Sequence, residues 1–177
     1  MHQGSLQLGL PAPSRWRRQR LCLQVTSSEV ASAEKFPSAH MIGSLLDVSM
    51  RSAWEDFVNG LGKLDIDARV YGSFGWQLLT GLSYVRPQSD IDLLMTVRSA
   101  YEADLLTTAL GECGIASPRL DGEICFPDGS ASAWREWQQW RSKASSRILV
   151  KRHDRAVLEA GDDWHALACA VPTSLCQ

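Results

Sequence analysis

The chain has 177 residues, 45% of them hydrophobic, and a formal net charge of −2. That length suits one domain with at most a small appendage, and that composition can bury a real core. The near-neutral balance gives no electrostatic case for a nucleic-acid binder. No apolar run approaches the ~18 residues of a membrane span, and no hydrophobic run follows the first basic residues as in a secretory signal.

Residues 1–20 are poor in core pattern, with Pro11 and Pro13 as breakers, and read as a solvated arm. Arg15, Arg17, Arg18 and Arg20 make that arm basic, which also suits an acidic partner or a polyphosphate. Leu21, Leu23 and Val25 alternate as one face of a strand, and residues 26–37 are irregular with helical potential near 28–35. From Ser49 to Lys63, Trp54, Phe57, Val58 and Leu61 fall at i, i+3, i+4 and i+7, the core stripe of an amphipathic helix. The expected organisation is an N-terminal arm and partial region over 1–48, a catalytic domain over 49–158 and an unassigned tail over 159–177.

Next come the residues with chemical content. Ala68 to Tyr71 reads as a strand, Gly72-Ser73 as a tight turn and Phe74 to Leu82 as a short helix. A helix opening at Gly-Ser aims free N–H groups and the positive end of its dipole at one point, as a phosphate cradle does. Gln77 and Arg86 follow in reach of that turn; Arg86 reads equally well as a phosphate contact or as a surface-loop arginine. Asp90 and Asp92 then flank Ile91 in an apolar strand, so both carboxylates share one face. Like charges so placed call for a cation, and Mg²⁺ fits hard oxygen ligands and phosphate partners, with Mn²⁺ as an alternative. Phosphate turn plus carboxylate pair points to transfer of a nucleotidyl or similar phosphoryl group.

Ser99 to Glu102 is a capping box for a helix to Cys113, which places Leu105, Leu106, Ala109 and Leu110 inward, with Gly114 as its C′ residue. Strands at 120–126 and 130–133 flank the turn Pro127-Asp-Gly129. Asp121 and Glu123 share a face of the first. Trp134, Trp137 and Trp140 read as one helix packed on the sheet, and residues 148–151 as a last strand, with Lys151 and Arg135 as further phosphate candidates. The four histidines (His2, His40, His153, His165) stand at no ligand spacing. The cysteines (Cys22, Cys113, Cys125, Cys169, Cys176) are odd in number and lack CxxC spacing. Reduced thiols in the cytoplasm are therefore the expectation.

The order of strand, Gly-Ser, helix, Asp-x-Asp strand and a further acidic strand resembles the DNA polymerase β-like nucleotidyltransferase superfamily. That resemblance implies an α/β (α+β) fold, a mixed twisted sheet flanked by helices. It implies two metals on the Asp90/Asp92 pair and a third carboxylate that helps activate the attacking hydroxyl. Asp121 is the first choice for the third and Glu123 the second. More narrowly, Val70-Tyr-Gly-Ser73, Trp76-Gln77, Leu79-Thr-Gly-Leu82, Ser89-Asp-Ile-Asp-Leu-Leu94, Asp121-Gly-Glu123, Pro127-Asp-Gly129, Ala133-Trp-Arg-Glu136 and Leu149-Val-Lys151 resemble the phosphoribosyl-dephospho-CoA transferases. These are the holo-acyl-carrier-protein synthases of malonate decarboxylase. The match is good over about 50–152 and looser over 15–25, while the tail from His165 does not resemble the family.

By resemblance, the donor is 2′-(5″-triphosphoribosyl)-3′-dephospho-CoA and the acceptor a serine of the apo acyl-carrier subunit. The implied metal ligands are Asp90, Asp92 and Asp121. The implied donor contacts are Gly72, Ser73, Gln77, Arg86 and Lys151. Two rival readings share the central motifs: another nucleotidyltransferase that adenylylates a small molecule or protein, and a non-catalytic carrier-binding module.

Overall fold

The computed structural model describes residues 4–16 and 19–160, and the statements below concern these residues. In chain order they form β1 (Ser5–Pro11), β2 (Arg20–Thr26), α1 (Val48–Lys63), β3 (Asp67–Val70), α2 (Gly72–Thr80) and β4 (Ile91–Thr96). There follow α3 (Ala100–Glu112), β5 (Leu120–Cys125), β6 (Ala131–Ala133), α4 (Trp134–Arg141), β7 (Arg147–Lys151) and β8 (Ala156–Ala160). Strands β3 to β8 make one six-stranded sheet in sequence order. Only the β4–β5 pair is parallel, with α3 as its crossover; every other pair is antiparallel. The fold is therefore α+β with a mixed sheet, as expected.

Strand β4 alternates buried Ile91, Leu93 and Met95 with half-buried neighbours, and β5 does the same with Leu120, Gly122 and Ile124. This apolar face packs with Trp54, Phe57 and Leu61 of α1, Leu106 of α3 and Trp137 of α4 in one cluster. Each large side chain so buried contributes about 1.5–3 kcal/mol of transfer free energy. Leu105 and Ala109 of α3 are only half-buried; Ala103, Leu106, Thr107 and Leu110 make its inner face. The Ser99 cap forms, its hydroxyl accepting from the Glu102 N–H at 3.2 Å. The Glu102 carboxylate reaches the Arg98 N–H, at 2.7 Å, rather than closing the box on Ser99.

Three expectations need correction. The N-terminal arm is in part a strand: β1 pairs antiparallel with β2 over its whole length, as a separate two-stranded sheet. The alternation of Leu6, Leu8 and Leu10 supports it, and Pro11 stands at the strand's end, where its missing N–H costs nothing. Residues 28–35 form no α-helix; only Ser27–Glu29 makes a single 3₁₀ turn. Finally, β8 pairs with β7 along five residues and carries the sheet past Leu158, where the sequence pattern gave out. The tail from residue 161, with His165, Cys169 and Cys176, lies outside the described residues, as do His2, Arg17 and Arg18.

Candidate active site

The exposed face of β4 and β5 carries the charge. Ile91 lies beside Leu120 and Asp92 beside Asp121 in the parallel register. Side chains paired in register on neighbouring strands share a face, so the geometry puts Asp92 next to Asp121 without any loop to adjust them. The strands can approach because position 122 is glycine: its φ is +143°, and a Cβ there would run into the Leu93 backbone. Asp90 stands one residue before β4. Arg119 Nη2 bridges it, donating to Asp90 Oδ2 at 2.8 Å and to Asp121 Oδ2 at 3.0 Å. Sequence reasoning missed Arg119. Its signal was position alone, two residues before Asp121 and so on the same face.

The turn meets this face from the other side. Gly72 has φ +58°, and a Cβ on it would overlap the Asp92 carboxylate. The Tyr71 N–H donates to the Asp92 carbonyl at 3.0 Å, which fixes the start of α2 against β4. Burial, with Asp121 and Asp90 nearby, pushes the Asp92 carboxyl up to about 6, against the weaker pull of Arg119. The Tyr71 phenol is also held well above its ordinary range, by burial first and then by Glu123, Asp92 and Asp121. It stays a neutral hydrogen-bonding group beside the carboxylates.

Two adjoining cavities open here. The inner one, of about 500 Å³, is lined by Gly72, Ser73, Trp76, Asp92 and, from the N-terminal hairpin, Pro11 and Arg20. The outer one, of about 420 Å³, shares Pro11, Arg20, Ser73 and Tyr84 and adds Arg86, Gln88 and Ser89. Gly72, Ser73 and Asp92 therefore line one cavity, and Ser73 joins it to the neighbouring cavity that Arg86 lines. Asp90 lines neither cavity.

Three candidates sit elsewhere. Gln77 Oε1 accepts from the Tyr84 and Val85 N–H groups, at 3.0 and 2.9 Å, and so holds the loop after α2 instead of facing the cleft. Lys151 is paired with Glu123, which engages both ions and leaves Asp121 as the β5 carboxylate in register with Asp92. Arg135 donates to the Leu120 carbonyl at 3.0 Å and lies over the Trp134 ring.

The carboxylates do not form a ready metal cage: among the described residues no three Asp, Glu, His or Cys side chains converge on one point. On this face the Arg119 guanidinium engages Asp90 and Asp121. The donor chemistry nonetheless fits Mg²⁺. Hard oxygens from Asp90, Asp92 and Asp121 stand on one face, and the Asp92 carboxyl is raised by burial first and then by its two carboxylate neighbours, which a bound cation would offset.

A strand, a Gly-Ser turn and a helix beside carboxylates on two neighbouring strands define a nucleotidyltransferase-type enzyme site. Comparison with known proteins carries this further. A family profile, the phosphoribosyl-dephospho-CoA transferase MdcG C-terminal domain, matches residues 38–161. A phosphoribosyl-dephospho-CoA transferase of Bradyrhizobium diazoefficiens is 38% identical over 155 residues, covering 85% of this chain and 66% of that protein. One of Xanthomonas campestris pv. campestris is 32% identical over 152 residues, covering 85% of this chain and 70% of its own. The chain belongs to the phosphoribosyl-dephospho-CoA transferase family. It spans about two thirds of the length of these relatives. No solved structure matches it. No helix among the described residues is long and apolar enough to cross a membrane.

Proposed function

We propose that the protein transfers the 2′-(5″-phosphoribosyl)-3′-dephospho-CoA group from its triphosphate donor to a serine of the apo acyl-carrier subunit of malonate decarboxylase, in the cytoplasm. The observation that carries this is the Asp92–Asp121 register beside the Gly72-Ser73 turn, in a chain of this family. The serine Oγ attacks the α-phosphorus of the donor. An O–P bond forms, the bond from that phosphorus to the bridging oxygen breaks, and pyrophosphate leaves. Ser73 and the first amides of α2 bind phosphate oxygens, and Arg86 faces the same cavity. A serine hydroxyl is a weak nucleophile near neutral pH, and Asp121 accepts its proton during attack.

Asp90, Asp92 and Asp121 are the residues that would hold Mg²⁺, with Arg119 withdrawing from Asp90 and Asp121 to make room. When bound, the ion supplies charge neutralisation on the transferring phosphoryl group. Asp92, buried against Gly72, orients the reacting end of the donor.

The test is direct. The protein is mixed with apo carrier subunit, the triphosphoribosyl donor and Mg²⁺, and the intact mass of the carrier is measured. A gain equal to the phosphoribosyl-dephospho-CoA group is expected on one serine. No mass gain, or a gain of an adenylyl group when ATP replaces the donor, would overturn the proposal.

A further inference from the structure

The N-terminal hairpin takes no part in the main sheet, yet it is fastened to the active-site side of the molecule. The Tyr84 hydroxyl donates to the Pro11 carbonyl at 3.3 Å, and Arg86 Nε donates to Ser14 Oγ at 3.1 Å. The Ser14 N–H donates to the Ser83 carbonyl at 2.8 Å. The hairpin tip is thus tied at three points to the loop that follows α2. Pro11 lies opposite Arg20 in the β1–β2 register, so the same ties place Arg20.

Arg20 and Ser73 line both cavities; Asp92 lines only the inner and Arg86 only the outer. A path therefore runs from Asp92 past Ser73 and Arg20 to Arg86. No Asp or Glu lines the outer cavity, which leaves it with two guanidinium groups and neutral polar neighbours. Arg20 makes no ion pair among the described residues, and Arg86 commits only its Nε, to a hydroxyl. Two uncompensated guanidinium groups in a polar pocket suit a planar-forked grip on phosphate oxygens, and no carboxylate that would repel such a ligand lines the outer cavity where the two meet.

We propose that Arg20, with Arg86, grips the terminal phosphates of the donor, the part released as pyrophosphate, so that the β1–β2 hairpin forms one wall of the active site. This rests on the function proposed above for the identity of the donor. The basic N-terminal stretch thereby acquires a specific role, in which Arg20 holds the leaving group in line behind the α-phosphorus while Asp92 stays at the reacting end. The bonds made and broken are those of the transfer itself, and the negative charge gathering on the departing pyrophosphate is met by the two guanidinium groups.

Calorimetric titration with two probes, inorganic tripolyphosphate and 3′-dephospho-CoA, both with Mg²⁺, tests the idea on the full chain. Arg20→Gln should weaken tripolyphosphate binding about ten- to hundredfold, the range for loss of a charged hydrogen bond, and should move 3′-dephospho-CoA binding less than about twofold. Arg20→Lys should recover part of the loss by keeping the charge. Arg20→Met, which keeps the stem and drops the charge, repeats the measurement should Gln disturb the hairpin; parent-like melting certifies either variant. Parent-like tripolyphosphate affinity in the neutral variants overturns the proposal. An equal loss for both probes also overturns it, since Arg20 would then act on the pocket as a whole. The two proposals fail separately. Tripolyphosphate binding that depends on Arg20, in a protein that modifies no carrier, leaves the phosphate grip standing and removes the function. Carrier modification with a donor KM that Arg20→Gln does not change does the reverse.

Discussion

The tryptophan layer and the carboxylate face lie on either side of one sheet and treat charge in opposite ways. On the helical side, Asp104 accepts from Trp137 Nε1 at 2.9 Å and from two nitrogens of Arg141, the shorter at 2.6 Å. Its charge is matched, and Trp134, Trp137 and Trp140 of α4 are all buried. On the other side, Asp92 has Asp121 for a neighbour and Gly72 for a wall, and its carboxyl rises to about 6. One carboxylate is spent on stability. The other is held in a state that costs stability, which suits the site proposed above for a cation and a polyphosphate.

The sharpest way to break the first region is Trp137→Ala. The indole is fully buried, with its ring 5.1 Å from that of Phe126 and 5.3 Å from that of Trp140. The loss should be about 3–5 kcal/mol, the range for truncating a buried aromatic, read from denaturant unfolding. Breaking the second region should leave the fold alone. Asp92→Asn should slow single-turnover transfer by about 10²–10³ or more, since an electrostatic group of this kind contributes ~3–4 kcal/mol. Unfolding should show no loss for that variant and a slight gain without Mg²⁺, because a like-charge repulsion is gone. Transfer at the parent rate would remove Asp92 from the reaction.

The pH dependence sharpens the contrast. The folded Asp92 carboxyl lies near 6, above its ordinary value of 3.8, so between these values the folded state holds a proton that the unfolded state has lost. Its contribution to stability therefore falls as pH rises from about 4 to 6 and is constant above. Asp92 is only partly buried, so solvent screening reduces the effect to roughly 1–2 kcal/mol. Glu102, where the cost of partial burial is outweighed by hydrogen bonds from Arg98, is shifted the other way and gives the opposite slope at lower pH. Subtracting the melting curve of Asp92→Asn from that of the parent, in EDTA, isolates the Asp92 part; a flat difference between pH 4 and 7 would contradict the assignment. The smallest effect is expected at Arg119. Arg119→Gln should raise Mg²⁺ affinity a few-fold, because a competing cation on Asp90 and Asp121 is removed. A weaker Mg²⁺ affinity in that variant would mean that Arg119 arranges the carboxylates for the metal instead of standing in its place.

Much of this contrast is legible in the chain because it is written in short periods. Trp54, Phe57, Val58 and Leu61 announce α1 by helical spacing, and all four are buried. Asp90 and Asp92 announce a shared face by alternation. What is not legible depends on partners distant in sequence. Nothing local to Arg119 says that it will bridge Asp90, 29 residues away. Gln77 and Lys151 look like phosphate contacts until the Tyr84 loop and Glu123 engage them. Strand β1 shows a different failure. Leu6, Leu8 and Leu10 alternate properly, but their common face with Leu21, Leu23 and Val25 is largely exposed, so no core pattern links them to the domain. Strand β8 is short and half-exposed for the same reason: an edge strand takes its place from backbone pairing more than from side-chain burial.

The glycine at position 72 has a genetic consequence. Its missing side chain is the space in which the Asp92 carboxylate stands, so the two positions share one volume although 20 residues separate them. An alanine at 72 meets both a left-handed backbone and that carboxylate. A smaller residue at 92 would relieve the crowding with that carboxylate, but it would also remove the group proposed to orient the donor. A selection for second-site revertants of a Gly72 lesion should return true revertants and few intragenic suppressors, and alleles at 72 and 92 should fail to complement one another.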